Sequence, residues 1–127
     1  MPKPILPRPT DSELSLLRVL WQRGPSTVRQ VQEELGEDTG YTTVLKFMQI
    51  MTEKGLVTRD ESDRTHVYQA RLSEEETQRQ LISDLLERAF SGSAKKLVMQ
   101  ALSTKRASAA ELAEIRKMLD QLEGGSR

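Results

Sequence analysis

Cysteine is absent from the 127 residues. Its absence excludes disulfide scaffolds, thiolate zinc sites and cysteine nucleophiles, and it suits a reducing cytosol. Histidine occurs once, as His66, with no second His or Cys beside which it could hold a metal. No apolar run approaches the ~18 residues of a membrane span, and the opening MPKPILPRPTD has no stretch long enough for a signal h-region. A cytoplasmic chain without stable membrane association is the expectation. An excess of either charge is also missing: Lys and Arg total 19, as do Asp and Glu, and the parts on either side of Leu72 are each near neutral. Binding to nucleic acid by bulk attraction needs a basic excess. Such binding here must come from local placement of Arg29, Lys46, Lys54, Arg59, Arg64 and Arg71. There is no nucleophile with a base and no glycine-rich phosphate loop, so an enzyme is not expected, nor is a cofactor. The length allows one ordinary domain or two small ones.

What is present is helical periodicity punctuated by caps. Residues 1 to 9 carry four prolines and are expected to be an extended tail. Thr10 with Glu13 forms a capping-box pattern, and Leu14, Leu17, Leu20 and Trp21 recur until Gly24-Pro25, predicting a first helix from Asp11 to Arg23. Ser26 or Thr27 can cap a second, short helix in which Val28, Val31 and Leu35 share a face before Gly36. A third helix is expected from Thr42 to Lys54, ending at Gly55. Val44, Phe47, Met48 and Met51 fall on one side of it, and Thr42, Lys46, Gln49 and Glu53 on the other. Its first turn is β-branched, so packing rather than propensity must hold it. Leu56 to Arg59 and Thr65 to Arg71 then read as two strands around the turn DESDR. The order helix, helix, helix, hairpin is that of a winged helix-turn-helix, and it points to DNA reading through the third helix.

From Ser73 the pattern changes. Ser73 with Glu76 is another capping box, followed by a charged helix with Leu81, Ile82, Leu85, Leu86, Ala89 and Phe90 as its apolar positions. Ser91-Gly92-Ser93 breaks it. A short helix around Ala94 to Leu102 carries Leu97, Val98, Ala101 and Leu102, and Ser108 with Glu111 opens a last helix with Leu112, Ile115, Leu119 and Leu122. The terminal GGSR is expected to fray. Three such helices bury their stripes poorly alone, so 73-127 is expected to complete itself against a second copy, as a dimerisation domain following a DNA-binding domain over 1-72. The fold class expected is mainly α with an α+β wing.

The segments TVRQVQEEL, YTTVLKFMQIMTEKGLV and DRTHVYQARLS, with ELSLLRVLW before them and LVMQAL and ELAEIRKML after, resemble the penicillinase-repressor family of bacterial winged-helix regulators, the BlaI/MecI type to which the CopY repressors are related. The resemblance covers nearly the whole chain. It implies a homodimeric transcriptional repressor whose third helix enters the major groove of an inverted-repeat operator in double-stranded DNA. Carried onto this chain, it makes Thr42, Thr43 and Lys46 the candidates for base edges or nearby phosphates, with Gln49 a turn further on. Tyr41 braces the helix start or reaches a phosphate, and Arg64, His66 and Tyr68 hold the wing to the backbone. Arg29 and Lys54 complete the DNA-binding set. The dimerisation set is Leu81, Leu85, Leu86, Ala89, Leu97, Val98, Leu102, Leu112, Ile115, Leu119 and Leu122. Some members are released by proteolysis when a membrane-bound metalloprotease sensor detects a β-lactam, which makes such a sensor an implied partner. The chain departs from the family in three places. Gln100-Ala101 stands where the antibiotic-responsive members are cut between Asn and Phe, the copper-binding cysteine tail is missing, and Ile50 occupies a position where many members carry arginine.

Plainer readings compete for several residues. Thr42, Thr43 and Lys46 read equally well as a solvated helix face when taken from the pattern alone. His66 and Tyr68 read as hairpin residues, the second packing on the helices. Glu74, Glu75 and Glu76 read as a helix amino terminus rather than an acid site. Met48, Met51 and Met99 read as apolar filler and Trp21 as core. Asp60, Glu61 and Asp63 would repel DNA, so the wing tip is expected to point off the duplex. The alternative function is a winged-helix protein-interaction module without sequence-specific DNA binding, kept open by the neutral charge.

Overall fold

The structure is a computed structural model that describes residues 8–125. Most of the expected extended tail lies outside the described residues, and Arg8, Pro9 and Thr10 lead irregularly into the first helix. Six helices and one hairpin follow: α1 (Asp11–Arg23), α2 (Val28–Leu35), α3 (Tyr41–Lys54), β1 (Val57–Asp60), β2 (Val67–Ala70), α4 (Glu74–Ala89), α5 (Ala94–Thr104) and α6 (Ala109–Gly125). Among the described residues no helix is long and apolar enough to cross a membrane. The chain forms two compact units, divided within α4 after Ile82.

In the first unit, caps set the helix boundaries. The Glu13 amide donates to Thr10 Oγ1 at 3.2 Å and the Thr10 amide to Glu13 Oε1 at 2.9 Å, closing the expected capping box. Thr27, not Ser26, caps α2, and Gln30 completes a second box with it. Ser26 is used differently. Its amide donates to the Tyr68 carbonyl at 2.9 Å, its carbonyl accepts from the Tyr68 amide at 2.8 Å, and its hydroxyl donates to the Gly24 carbonyl at 2.8 Å. The link between α1 and α2 is thereby stitched to β2 as an isolated antiparallel bridge.

α3 starts one residue earlier than its β-branched turn suggested, with Gly40 at its N-cap and no side-chain cap. Packing holds it: Val44, Met48 and Met51 are fully buried against Leu16, Leu17 and Leu20 of α1 and Val28 and Val31 of α2. Leu16 is a core residue outside the expected α1 stripe, whereas Leu14 and Trp21 pack only half-buried at its edge. The Trp21 indole donates to the Leu72 carbonyl at 3.0 Å, which ties down the chain after β2. At the other end of α3, Gly55 takes φ 81 and ψ 19, the Gly55 amide reaches the Thr52 carbonyl, and the Leu56 amide reaches the Met51 carbonyl at 2.9 Å. This pair of bonds satisfies the last carbonyls of the helix and turns the chain into the wing.

β1 and β2 pair antiparallel with Arg59 opposite Tyr68 and Asp60 opposite Val67. β1 is shifted one residue later than expected, because Leu56 is spent on the α3 cap, and β2 is shorter than expected, because Thr65 and His66 belong to the connecting loop and Arg71 lies past its end. The Ser62 amide donates to Asp60 Oδ1 at 2.9 Å, fixing the turn near its start.

The second unit consists of the end of α4 with α5 and α6. Ser91 (φ 49) and Gly92 (φ 77) end α4, Ser93 caps α5, and the Ser108–Glu111 box opens α6. α5 runs on to Thr104, and α6 continues through Gly124 and Gly125 where fraying was expected; Ser126 and Arg127 lie outside the described residues. No described residue of this unit is buried. Leu86, Leu97, Leu112 and Ile115 are half-buried, while Leu85, Ala89, Val98, Leu102, Leu119 and Leu122 are exposed, Leu122 by 60%.

Candidate nucleic-acid interface

With Val44, Met48 and Met51 turned inward, helical geometry turns Thr42, Thr43, Lys46, Gln49, Ile50 and Glu53 outward, and all six are exposed. Among the described residues, Thr42, Thr43, Lys46 and Gln49 have no side-chain hydrogen bond or ion pair, so their donors and acceptors face outward unspent. Ile50 is the exception in character: a large apolar side chain, 38% exposed, set in this otherwise polar face.

Beside the start of α3, an open cleft is lined by Thr27, Val28 and Arg29 of the α2 end, Tyr41 and Leu45 of α3, and Arg64, Thr65, His66 and Tyr68 of the wing. The fold thus gathers Arg29, Tyr41, Arg64 and His66, which are far apart in the chain. The Arg29 guanidinium lies over the Tyr41 ring, 5.4 Å from its centroid, a cation–π contact that positions both groups. The Ser26–Tyr68 bridge explains why the wing loop comes so near α2.

Two other residues of the expected DNA-binding set are committed to the fold instead. Tyr68 is 1% exposed and its ring belongs to the core. Lys54 Nζ lies 2.7 Å from Glu13 Oε1, and the Glu13 side chain is only 3% exposed. Burial by itself would raise the Glu13 pKa; the Lys54 ammonium and the Thr10 amide and hydroxyl outweigh it and hold the carboxyl below its usual value. Lys54 therefore neutralises an internal acid, a pairing 41 residues apart that no local pattern reveals. Arg59 is likewise engaged, in an ion pair with Glu61 on the wing.

The chain as a whole is similar to known proteins. The family model for the penicillinase repressor matches residues 9–121. A transcriptional regulator BlaI from Mycobacterium tuberculosis is 33% identical over 123 residues, covering 94% of this chain and 88% of that protein. A penicillinase repressor from Bacillus licheniformis is 21% identical over 118 residues, covering 91% of this chain and 92% of that one. In fold, the chain is similar to a MarR family protein from Bacillus stearothermophilus, with a TM-score of 0.50 and 19% identity over 98% of this chain and 76% of the other. Taken with three helices leading into a hairpin wing, these matches show that the chain belongs to the penicillinase repressor family, whose members are winged-helix transcriptional regulators and not enzymes.

Proposed function

We propose that this chain is a homodimeric repressor that binds an inverted-repeat operator, each protomer laying α3 in the major groove of one half-site. The observation that carries this reading is the outward face of α3, where Thr42, Thr43, Lys46 and Gln49 present unspent hydrogen-bonding groups on a helix locked to the core by its other side. Threonine can set its methyl on a thymine methyl and its hydroxyl on a base edge, lysine can reach guanine O6 and N7, and Gln49 can serve adenine. The cleft beside it supplies the backbone contacts: Arg29 and Arg64 to phosphates, with Tyr41 and His66 as hydrogen-bonding partners.

The dimer follows from the exposed stripes of α5 and α6, which a second copy would cover. The two units, divided within α4 after Ile82, then correspond to reading and pairing, and the boundary expected from the sequence at Leu72 lies earlier, ahead of α4. Release by proteolysis is one theme among several in the family, and here Gln100 and Ala101 are exposed but lie inside α5. Cutting there requires α5 to open locally first.

The test is binding of the full chain to an inverted repeat footprinted in its own promoter, against a scrambled duplex, across a salt series. Operator binding should weaken by about 0.9 log units per neutralised phosphate for each log unit of salt. A protein-interaction module, which the neutral net charge keeps open, would show no operator preference and no such slope.

A further inference from the structure

We propose that Ile50 is a specificity-determining residue of the α3 face, reading the C5-methyl group of a thymine in each operator half-site. The inference rests on the DNA-binding reading above and adds to it a base and an atom. Three observations combine. Ile50 is one of the two large apolar side chains that α3 leaves exposed, the other being Tyr41, which is held under Arg29. Ile50 lies on the same stripe as Thr43 and Lys46, at steps of three and four residues, so whatever those side chains meet, Ile50 meets one turn further on. Of the residues three and four away from it along the helix, Lys46, Glu53 and Lys54 are polar and Phe47 is half-buried at the edge of the core, and Ile50 itself stays 38% exposed.

The chemistry of the side chain narrows what it can read. Isoleucine offers neither hydrogen bond nor charge, and of the groups that base pairs present in the major groove only the thymine methyl is apolar. The reach is also set. Seven residues at 1.5 Å each put Ile50 about 10 Å along the helix axis from Thr43, which is roughly three base steps of duplex. The thymine therefore lies about two to four base pairs from the position governed by Thr43. Polar neighbours fix the register there, and the methyl contact decides between thymine and cytosine at that step.

The experiment uses the full chain and its footprinted operator, with each thymine of the half-sites replaced in turn by deoxyuridine, which lacks only the C5-methyl. Replacement at one position should weaken wild-type binding about fourfold per half-site and about fifteenfold when both are changed, the factor for losing one buried methyl group each time. Ile50→Ala should bind the thymine operator more weakly and be indifferent to that replacement. Ile50→Val, which keeps an apolar branch and carries little folding risk, should retain part of the sensitivity, and Lys46→Ala should retain all of it. Specific, salt-dependent operator binding with no methyl-sensitive thymine overturns the proposal, as does full methyl sensitivity in Ile50→Ala. Equal wild-type binding to operator and scrambled duplex would instead remove the DNA-binding reading, and this inference with it.

Discussion

Lys46 and Lys54 sit on the same helix eight residues apart, yet the fold gives them opposite tasks. Lys46 has nothing to hold and is offered outward; Lys54 is spent on Glu13. Lys46→Ala or Thr43→Ala should weaken operator binding by about 1–3 kcal/mol, in the range of a lost base contact, with the thermal midpoint unmoved. Wild-type affinity in both variants would take α3 out of the reading role. Lys54→Ala should do the reverse. It leaves a nearly buried carboxylate unpaired, and because Lys54 itself is about one-third exposed the cost is about 1–3 kcal/mol of stability rather than the full value for a buried pair. Urea midpoints measure that loss, and operator affinity of the folded fraction should stay as it was. The same pair predicts a pH dependence. The Glu13 pKa is lowered on folding, so its contribution is present above the unfolded value of 4.5 and is lost as pH falls through the lower folded value. The urea midpoint of Glu13→Gln should therefore fall less than that of the wild type on acidification below pH 4.5. From the sequence Lys54 could only be read as one of several cations near the wing, since its partner is a contact across the fold.

At the scale of elements, termini carry much of the design. Every helix start with a Ser or Thr three residues ahead of Glu or Gln forms its box, because that chemistry is complete within four residues. The end of α3 is also local, but it needs a left-handed residue, and the space there is already taken: a Cβ on Gly55 would stand 3.1 Å from Arg71 Nη1, whose guanidinium donates to the Gly55 carbonyl. Gly55→Ala should cost about 1–2 kcal/mol, combining the positive φ with that close approach. Because Leu56 passes the chain from this cap to β1, the variant should also weaken operator binding by displacing the wing. Denaturation midpoints paired with binding curves would show both, and an unchanged midpoint would mean the turn tolerates a side chain. The Ser26 bridge to β2 was not legible, since a single serine between two helices looks like a cap and only the return of the chain at Tyr68 makes it a strand partner.

On the whole-molecule scale the asymmetry between the units is the dominant fact: the first has a closed core, and the second has stripes without one. Leu85→Asp or Leu119→Asp should leave the first unit folded and yield monomers with poor operator affinity, because a buried unpaired charge is costly. Sedimentation velocity decides it, and persistent dimers in both variants would remove these stripes from the interface. The sequence alone determined where α1, α4 and α6 begin, which faces are apolar and that a two-stranded wing follows the third helix. These are set within one or two turns by caps, periodicity and turn residues. Only the tertiary structure decided which cations are free and which are spent, that Ser26 anchors the wing, and that Arg29, Tyr41, Arg64 and His66 share one cleft. Each of these depends on segments distant in the chain meeting in space, and a local pattern holds no information about what lies across the core.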